Sequence, residues 1–220
     1  MSTAKNQNTA SGNNEQAVIT NGQATLANGS YEKCIIATTG SFSDYDDLTV
    51  GRFFEQGASN QIKGLHGGGA NPSVSNIIDF TIFSSSGNFT DFGDLTAARK
   101  STSGIGNDEG GIGDDNLVQR PSVTYMPGSG RALFMNSSFT KDYQMININT
   151  LGNSVSFGDG ATAQEGNFGC SSLTRGINMG DQPGANTIES IEFTSAGNSA
   201  DFGNLTVNKI TAGSCASTTR

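Results

Sequence analysis

The sequence predicts an all-β fold made of four similar repeats, and three observations support this prediction. Glycine is abundant, at 30 of 220 residues, and tryptophan is absent, which suits short strands joined by tight turns. No long window repeats its apolar residues with the 3.6-residue period of a helix. A short motif also recurs four times at intervals of roughly 45 residues, which is typical of repeat architectures.

The recurring motif is clearest at residues 86–96, Ser-Gly-Asn-Phe-Thr-Asp-Phe-Gly-Asp-Leu-Thr. Residues 196–206 repeat it almost unchanged, 151–159 are a weaker copy, and 39–49 are the most divergent copy. Its glycine occurs at positions 40, 87, 152 and 197, so consecutive copies are 47, 65 and 45 residues apart. The longest interval therefore contains an insertion of about 18–20 residues.

Each copy of the motif joins two predicted strands. Before the glycine, apolar and polar residues alternate, as in 77–83 and 188–193. This period of two predicts a half-buried strand, and the Gly-Asn or Gly-Ser that follows predicts a turn before the next strand. Small residues recur seventeen positions after each glycine, as in 57–59 and 169–171, and predict a strand in a crowded place.

One unit, followed from its first basic residue, has a fixed order of features. Arg52 precedes the small-residue strand, then come Gly-Leu-His-Gly-Gly-Gly at 64–69, an alternating strand, a strand with Phe92, and Arg99. This order resembles the kelch repeat, the four-stranded blade of a β-propeller. The resemblance implies a four-bladed kelch-like propeller in which phenylalanine stands where tryptophan is usual. The structural repeat residues are Phe92, Phe157, Phe202, Arg52 and Arg99.

The repeat spacing sets the predicted boundaries. Three units are expected at about 52–98, 99–163 and 164–208. The last blade is expected to combine 209–220 with 17–51, so that both termini close it and no strand edge is left unpaired. The propeller thus covers 17–220. Residues 1–16 are polar and low in complexity, and form either a flexible leader or an arm that docks on a neighbouring subunit.

Over about residues 17–220 the chain also resembles repeat proteins of bacteriophage virions, especially marine cyanophages, which are rich in runs like Gly-Asn-Ser-Ala-Asp-Phe-Gly-Asn-Leu-Thr. The resemblance implies a non-enzymatic structural protein of the capsid, tail or fibres. Such a protein would be made in the host cytoplasm and carried in multiple copies beside other virion proteins. The alternative is a propeller module that binds a host-surface glycan or receptor. Neither interpretation requires a cofactor.

The charge and hydropathy of the chain exclude two classes of partner. The net charge of −8 argues against nucleic acid, because no basic stripe is present to neutralise phosphates. No apolar run approaches membrane-spanning length, and residues 1–16 lack the hydrophobic core of a signal peptide. We therefore expect neither membrane insertion nor secretion.

The insertion between the second and third motif copies is the predicted partner-binding loop, because insertions in repeat proteins usually emerge on one face. The predicted binding residues are Asp108, Glu109, Asp114, Asp115 and Tyr125. Carboxylates at this density can also hold Ca²⁺, but the run lacks the full EF-hand spacing. A solvated loop is favoured, and no metal site is predicted.

The remaining candidate residues favour structural roles. His66 is the only histidine, and its place beside three glycines in a repeat position favours structure or surface over catalysis. The cysteines Cys34, Cys170 and Cys215 lack metal-ligand spacing and are expected to be small buried residues. The recurring bases are expected to pair with the recurring acids between strands or blades. The bases are Arg52, Arg99 and Lys209, and the acids are Asp44, Asp47, Asp91, Asp94, Asp159 and Asp201.

Overall fold

The structure is a computed structural model of the chain, and it describes residues 8–13, 15–20, 30–85, 87–106, 130–137, 140–181, 185–209 and 212–214. These residues form sixteen β-strands in four sheets, and none of them is helical. No helix in these ranges could therefore cross a membrane. The all-β prediction is confirmed, and four sheets of four strands are consistent with a four-bladed propeller-like arrangement.

Each sheet is an antiparallel meander of four strands that are consecutive in the chain. The first sheet contains β1 (Ala10–Gly12), β2 (Gln16–Thr20), β3 (Ser30–Ile35) and β4 (Ser43–Asp47). The second contains β5 (Gln56–Ser59), β6 (Lys63–Gly67), β7 (Ile77–Ile82) and β8 (Thr90–Asp94). The third contains β9 (Ser103–Gly106), β10 (Arg131–Ser137), β11 (Thr140–Asn147) and β12 (Val155–Asp159). The fourth contains β13 (Phe168–Ser171), β14 (Arg175–Asp181), β15 (Ala185–Glu192) and β16 (Ala200–Asn204). We call the first strand of each sheet its inner strand and the fourth its outer strand.

The alternating runs form strands as predicted, but β7 is more deeply buried than its pattern indicated. Ile78 and Asp79 point to opposite faces of the strand, and both are fully buried. The reason is that the second sheet is covered on one face by the first sheet and on the other by the third. A strand buried on both faces can keep a polar residue such as Asp79 only when that residue has hydrogen-bond partners.

The repeat spacing predicts that residues 209–220 supply the first strand of the blade that contains 17–51. This prediction is wrong for the first sheet, which takes all four of its strands from the N-terminal part of the chain. Its inner strand is β1, which pairs with β2 so that Ala10 lies opposite Ile19. Part of the segment predicted as an arm is therefore built into a sheet. β1 has the sequence Ala-Ser-Gly, and its small side chains suit the crowded inner position. Most of 209–220 lies outside the described residues, but Ser214 Oγ donates a hydrogen bond to Gly169 O of β13 at 2.6 Å.

The hydrophobic core consists of three layers, and each layer lies between two neighbouring sheets. Between the first and second sheets, Tyr31 packs with Phe83 and Phe89. The largest layer lies between the second and third sheets. Between the third and fourth sheets, Phe157 packs with Phe193. No sheet buries its apolar face alone, so each repeat depends on its neighbour, as in other repeat proteins.

Equivalent backbone hydrogen bonds join neighbouring sheets at the three junctions, one at the first and two at each of the others. We call the turns at 40–42, 87–89, 152–154 and 197–199 the motif turns. Three of them lie against the outer strand of the preceding sheet, and their backbone amides donate to its carbonyls. These pairs are Phe89 N to Asp47 O, Gly152 N to Phe92 O, Ser154 N to Asp94 O, Gly197 N to Phe157 O and Ser199 N to Asp159 O, at 2.8–3.1 Å. The recurring motif is therefore the junction between sheets.

The inner strands run side by side, and this explains their small residues. A Cβ atom added to Gly104 would lie 2.5 Å from Gly57 O, and one added to Gly57 would clash with Ala10 O. Side-chain oxygens bridge the same strands: Ser59 Oγ donates to Gly12 O at 2.9 Å. The predicted crowding is confirmed, and the crowding atoms are the backbone carbonyls of the preceding inner strand.

Candidate functional site

The inner strands line a cavity of about 820 Å³. Its wall is formed by the starts of β1, β5, β9 and β13 and by the short segment 212–214. Because these positions recur along the repeats, the wall consists of equivalent residues from successive units. This volume is large enough for a ligand of a few sugar rings.

The cavity wall is mostly polar, and Glu165 is the one charged residue among the described residues that line it. Thr9, Gln56 and Asn167 contribute hydroxyl and amide groups, and Phe54 and Phe168 contribute two aromatic rings. Thr102 and Ser103 also belong to the wall, and their Oγ atoms are buried without a hydrogen-bond partner in the described chain. Buried hydroxyls without partners are uncommon, so this part of the wall has unused hydrogen-bonding capacity. The chemistry suits a neutral, hydroxyl-rich ligand.

His66 lies outside this cavity wall, fully buried at the junction of the first and second sheets. Its Nε2 atom lies 2.9 Å from Ser11 Oγ, and its Nδ1 atom lies 2.9 Å from the Tyr31 hydroxyl. Tyr31 in turn donates to Glu55 Oε1 at 3.0 Å. Burial, together with the nearby Arg52 charge, lowers the pKa of His66 to about 3. The ring is therefore neutral at physiological pH, and it links two sheets by hydrogen bonds on both nitrogens.

Arg52 and Arg99 are buried, and they pair with different acids than expected. Arg52 Nη1 lies 2.8 Å from Asp79 Oδ2, and both side chains are almost completely buried. Arg99 Nη2 lies 2.7 Å from Asp142 Oδ2, whose side chain is partly exposed. The predicted acids lie on the outer strands. Each arginine instead lies between two sheets in the chain and reaches the third strand of the sheet that follows it. Arg52 also donates to the Gly68 carbonyl at 2.7 Å, which fixes its direction.

The predicted outer-strand acids have other roles. Asp91 and Asp201 each accept a hydrogen bond from the glycine two residues later, at 3.1 and 3.0 Å. The Asp159 carboxylate lies 4.0 Å from Lys141 Nζ in a long, exposed ion pair. Such pairs contribute little to stability because water screens them. These acids shape the motif strands locally and do not form the buried ion pairs.

A third junction uses neutral groups in place of the arginine. Gln164, which occupies the repeat position of Arg52 and Arg99, accepts hydrogen bonds at Oε1 from Asn136 Nδ2 at 2.7 Å and Asn178 Nδ2 at 2.8 Å. Nearby, the Tyr143 hydroxyl donates to Glu189 Oε2 at 2.6 Å. Burial, with the Glu189 carboxylate beside it, raises the pKa of the Tyr143 hydroxyl above its usual value. The hydroxyl therefore stays protonated as a permanent donor.

Sequence reasoning missed the polar position on the third strand of each sheet. Its residues are Glu32, Asp79, Gln144 and Glu189, and all four are buried. A signal was present, since these residues are 47, 65 and 45 positions apart, as are the motif glycines. The pattern was hidden because a polar residue inside an apolar strand resembles the normal alternation of a half-buried strand.

The other predicted site residues have mixed outcomes. Phe92 and Phe157 are buried, at 3% and 4% exposure, but Phe202 is 56% exposed. The predicted binding residues Asp108, Glu109, Asp114, Asp115 and Tyr125 lie outside the described residues. Cys34 and Cys170 are only half buried, so the prediction of buried cysteines is wrong for these two, and Cys215 lies outside the described residues. In the described ranges, no three His, Cys, Asp or Glu residues are grouped as metal ligands would be.

Comparisons with known proteins identify no family. No family model matches the sequence, and no curated protein matches it. Among solved structures, "Structure of YjhT" superposes on this chain with a TM-score of 0.65 and 9% sequence identity. The superposition covers 96% of this chain and 69% of that chain. At this identity the likeness concerns the fold alone.

Proposed function

We propose that this chain is a non-enzymatic structural protein of a phage particle, located on the capsid, tail or fibres, and that it docks on other virion proteins. The observation that carries this proposal is the use of its reactive side chains inside the junctions between sheets. His66 is buried and neutral, and both of its ring nitrogens have hydrogen-bond partners. Arg52 and Asp79 are likewise committed to each other. His66 thereby joins the first and second sheets, and the ion pair anchors the segment between these sheets to β7.

The finer fold proposal is that the four sheets are kelch-like blades. It is supported by the repeated junction hydrogen bonds and by the inner strands that line one cavity. The glycines at 68 and 69 support it as well. Both have positive φ, and Cβ atoms there would meet the Arg99 and Phe53 carbonyls. Only glycine fits this crossing, as the resemblance to the kelch glycine pair implies.

Particle composition tests this function. If the chain is a virion component, it should co-purify with intact particles through density-gradient centrifugation, at a fixed copy number by quantitative mass spectrometry. A chain that stays in the soluble fraction of infected cells would contradict the proposal. The predicted docking loop is tested by deleting 108–115, which should leave a folded, soluble protein that is depleted from particles. A matched change of Asp108, Glu109, Asp114 and Asp115 to Asn and Gln separates the role of charge from that of length.

A second candidate function is glycan binding, favoured by the polar cavity. Its wall offers hydroxyls, amides and two phenylalanine rings, and the Oγ atoms of Thr102 and Ser103 are buried without partners among the described residues. Isothermal titration against purified host-surface glycans would detect it. Gln56→Ala should weaken binding, whereas Val155→Ala, on the outer strand of the third sheet, should not. Equal affinities for the two variants would place any binding elsewhere.

A further inference from the structure

The two end sheets each expose a face that is buried at every internal junction. At the three internal junctions, the outer strand of one sheet receives the motif turn of the next. The outer strand of the fourth sheet, β16, receives no motif turn from the described chain. The motif turn of the first sheet, 40–42, lies against no outer strand of the described chain. The chain therefore presents one unused acceptor face and one unused donor face.

The acceptor face is centred on Phe202. Its repeat counterparts Phe92 and Phe157 are 3% and 4% exposed, but Phe202 is 56% exposed. Gly203 shows the same contrast. A Cβ on its counterpart Gly93 would lie 2.5 Å from the carbonyl of the next motif turn, whereas one on Gly203 would have no atom within 4 Å. An aromatic ring so exposed, beside open backbone carbonyls, is a typical protein-contact surface.

The donor face is centred on Ile36. This residue follows β3, and its repeat counterparts Phe83, Ile148 and Phe193 are at most 3% exposed because each packs on the preceding sheet. Ile36 is 57% exposed, and the preceding Ile35 is 45% exposed.

The two faces are complementary because they are the two halves of one repeated junction. At the internal junctions, Phe92 packs in one layer with Ile148, and Phe157 packs with Phe193. By repeat position, Phe202 matches the first member of each pair and Ile36 matches the second. The carbonyls of Phe202 and Asn204 match those that accept hydrogen bonds elsewhere, and the amides of Gly40 and Phe42 match the donors. Both faces are exposed in the same molecule, so they do not cover each other.

We propose that the fourth sheet of one copy docks on the first sheet of a second copy, so that the repeat series continues from chain to chain. The contact reproduces the internal junction, with Phe202 against the partner's Ile36 and the motif turn of the partner along β16. The contact joins two different faces, so a dimer still exposes one free acceptor face and one free donor face. The assembly therefore grows head to tail until it closes as a ring or extends as a filament. This inference stands on the two faces and does not depend on the proposed virion role.

The experiment uses the full chain and two charge-introducing variants. Wild type should show concentration-dependent association by sedimentation velocity and multi-angle light scattering. Ile36→Glu and Phe202→Glu should each abolish the larger species, because each buries a charge in an apolar contact. Val155→Glu is the matched control, since Val155 is 52% exposed on an internal sheet, and it should associate like wild type. Circular dichroism confirms that each variant is folded.

Mixing the two variants tests the head-to-tail geometry directly. Ile36→Glu retains an intact fourth-sheet face, and Phe202→Glu retains an intact first-sheet face. An equimolar mixture should therefore form a one-to-one dimer that grows no further. Wild type that stays monomeric at all concentrations would overturn the proposal, as would variants that associate like wild type or a mixture that forms no dimer. Absence from virus particles would leave all these outcomes unchanged, so it would count only against the virion role.

Discussion

The clearest stability prediction compares the same repeat residue in two environments. Phe92 and Phe202 occupy equivalent positions on outer strands, but Phe92 is 3% exposed and Phe202 is 56% exposed. Phe92→Ala should lower the free energy of unfolding by about 3–5 kcal/mol, because it removes a buried ring and leaves a cavity between the second and third sheets. Phe202→Ala removes a ring that is less than half buried and leaves no closed cavity. Its cost should be about 1 kcal/mol.

Urea unfolding monitored by circular dichroism measures both losses. The protein must be dilute enough to be monomeric by light scattering, so that a second copy does not cover Phe202. A difference of roughly 2 kcal/mol or more between the variants is expected. Equal losses in a verified monomer would show that Phe202 is covered by its own chain in solution. That result would refute the inference that the fourth sheet ends in an open face.

Three further predictions concern buried groups. As pH falls from 6.5 toward 3, the free energy of unfolding of the wild type should fall by up to about 1.4 kcal/mol per pH unit. The reason is that the His66 ring binds a proton in the unfolded chain but stays neutral in the folded protein, where its pKa is about 3. Substituting His66→Asn should remove this part of the acid sensitivity in urea unfolding between about pH 7 and pH 4. Arg52→Met should lower the free energy of unfolding by about 3–5 kcal/mol, because it leaves the buried Asp79 carboxylate unpaired. Arg175→Met, which removes a half-exposed ion pair, should lower it by less than about 1 kcal/mol in the same assay. Gly93→Ala should cost about 1–3 kcal/mol more than Gly203→Ala in thermal unfolding, because the two glycines have φ of 148° and 142° but only the first faces a carbonyl.

A specific result would contradict each of these three predictions. An acid sensitivity that is the same in wild type and His66→Asn would mean that the ring is protonated in the native state. Similar losses for Arg52→Met and Arg175→Met would mean that water reaches the Asp79 ion pair. A Gly203→Ala variant as unstable as Gly93→Ala would place an unseen neighbour against the fourth sheet.

The repeat period carried most of the fold that sequence reasoning could predict. Alternation located β7 and β15, and the motif glycines located the turns that follow them. Small residues at 57–59 predicted crowding, because only small side chains tolerate a carbonyl of the preceding inner strand at contact distance. Local patterns of this kind are determined by the chain segment itself and its immediate neighbours.

The parts that sequence reasoning could not supply depend on which segments meet in space. Residues 10–12 lack an apolar pattern, so nothing in their composition indicated a strand. They become one because β2 and β5 lie on either side of them. The partners of Arg52 and Arg99 were likewise mistaken, since the spacing of charges along the chain does not determine which strand each guanidinium faces. The exposure of Phe202 was also hidden, because its motif is nearly identical to that of the buried Phe92.

The longest connection in the chain makes this scaffold a candidate carrier for foreign sequences. β9 and β10 are separated by 24 residues, 107–130, yet they pair in register with Ala132 opposite Gly106. The corresponding connection in the second sheet, between β5 and β6, has three residues, 60–62. An eightfold longer connection is three doublings, which costs only about 2 kcal/mol in closure entropy. A peptide epitope or small domain grafted within 107–129 should therefore leave the pairing of β9 with β10 unchanged.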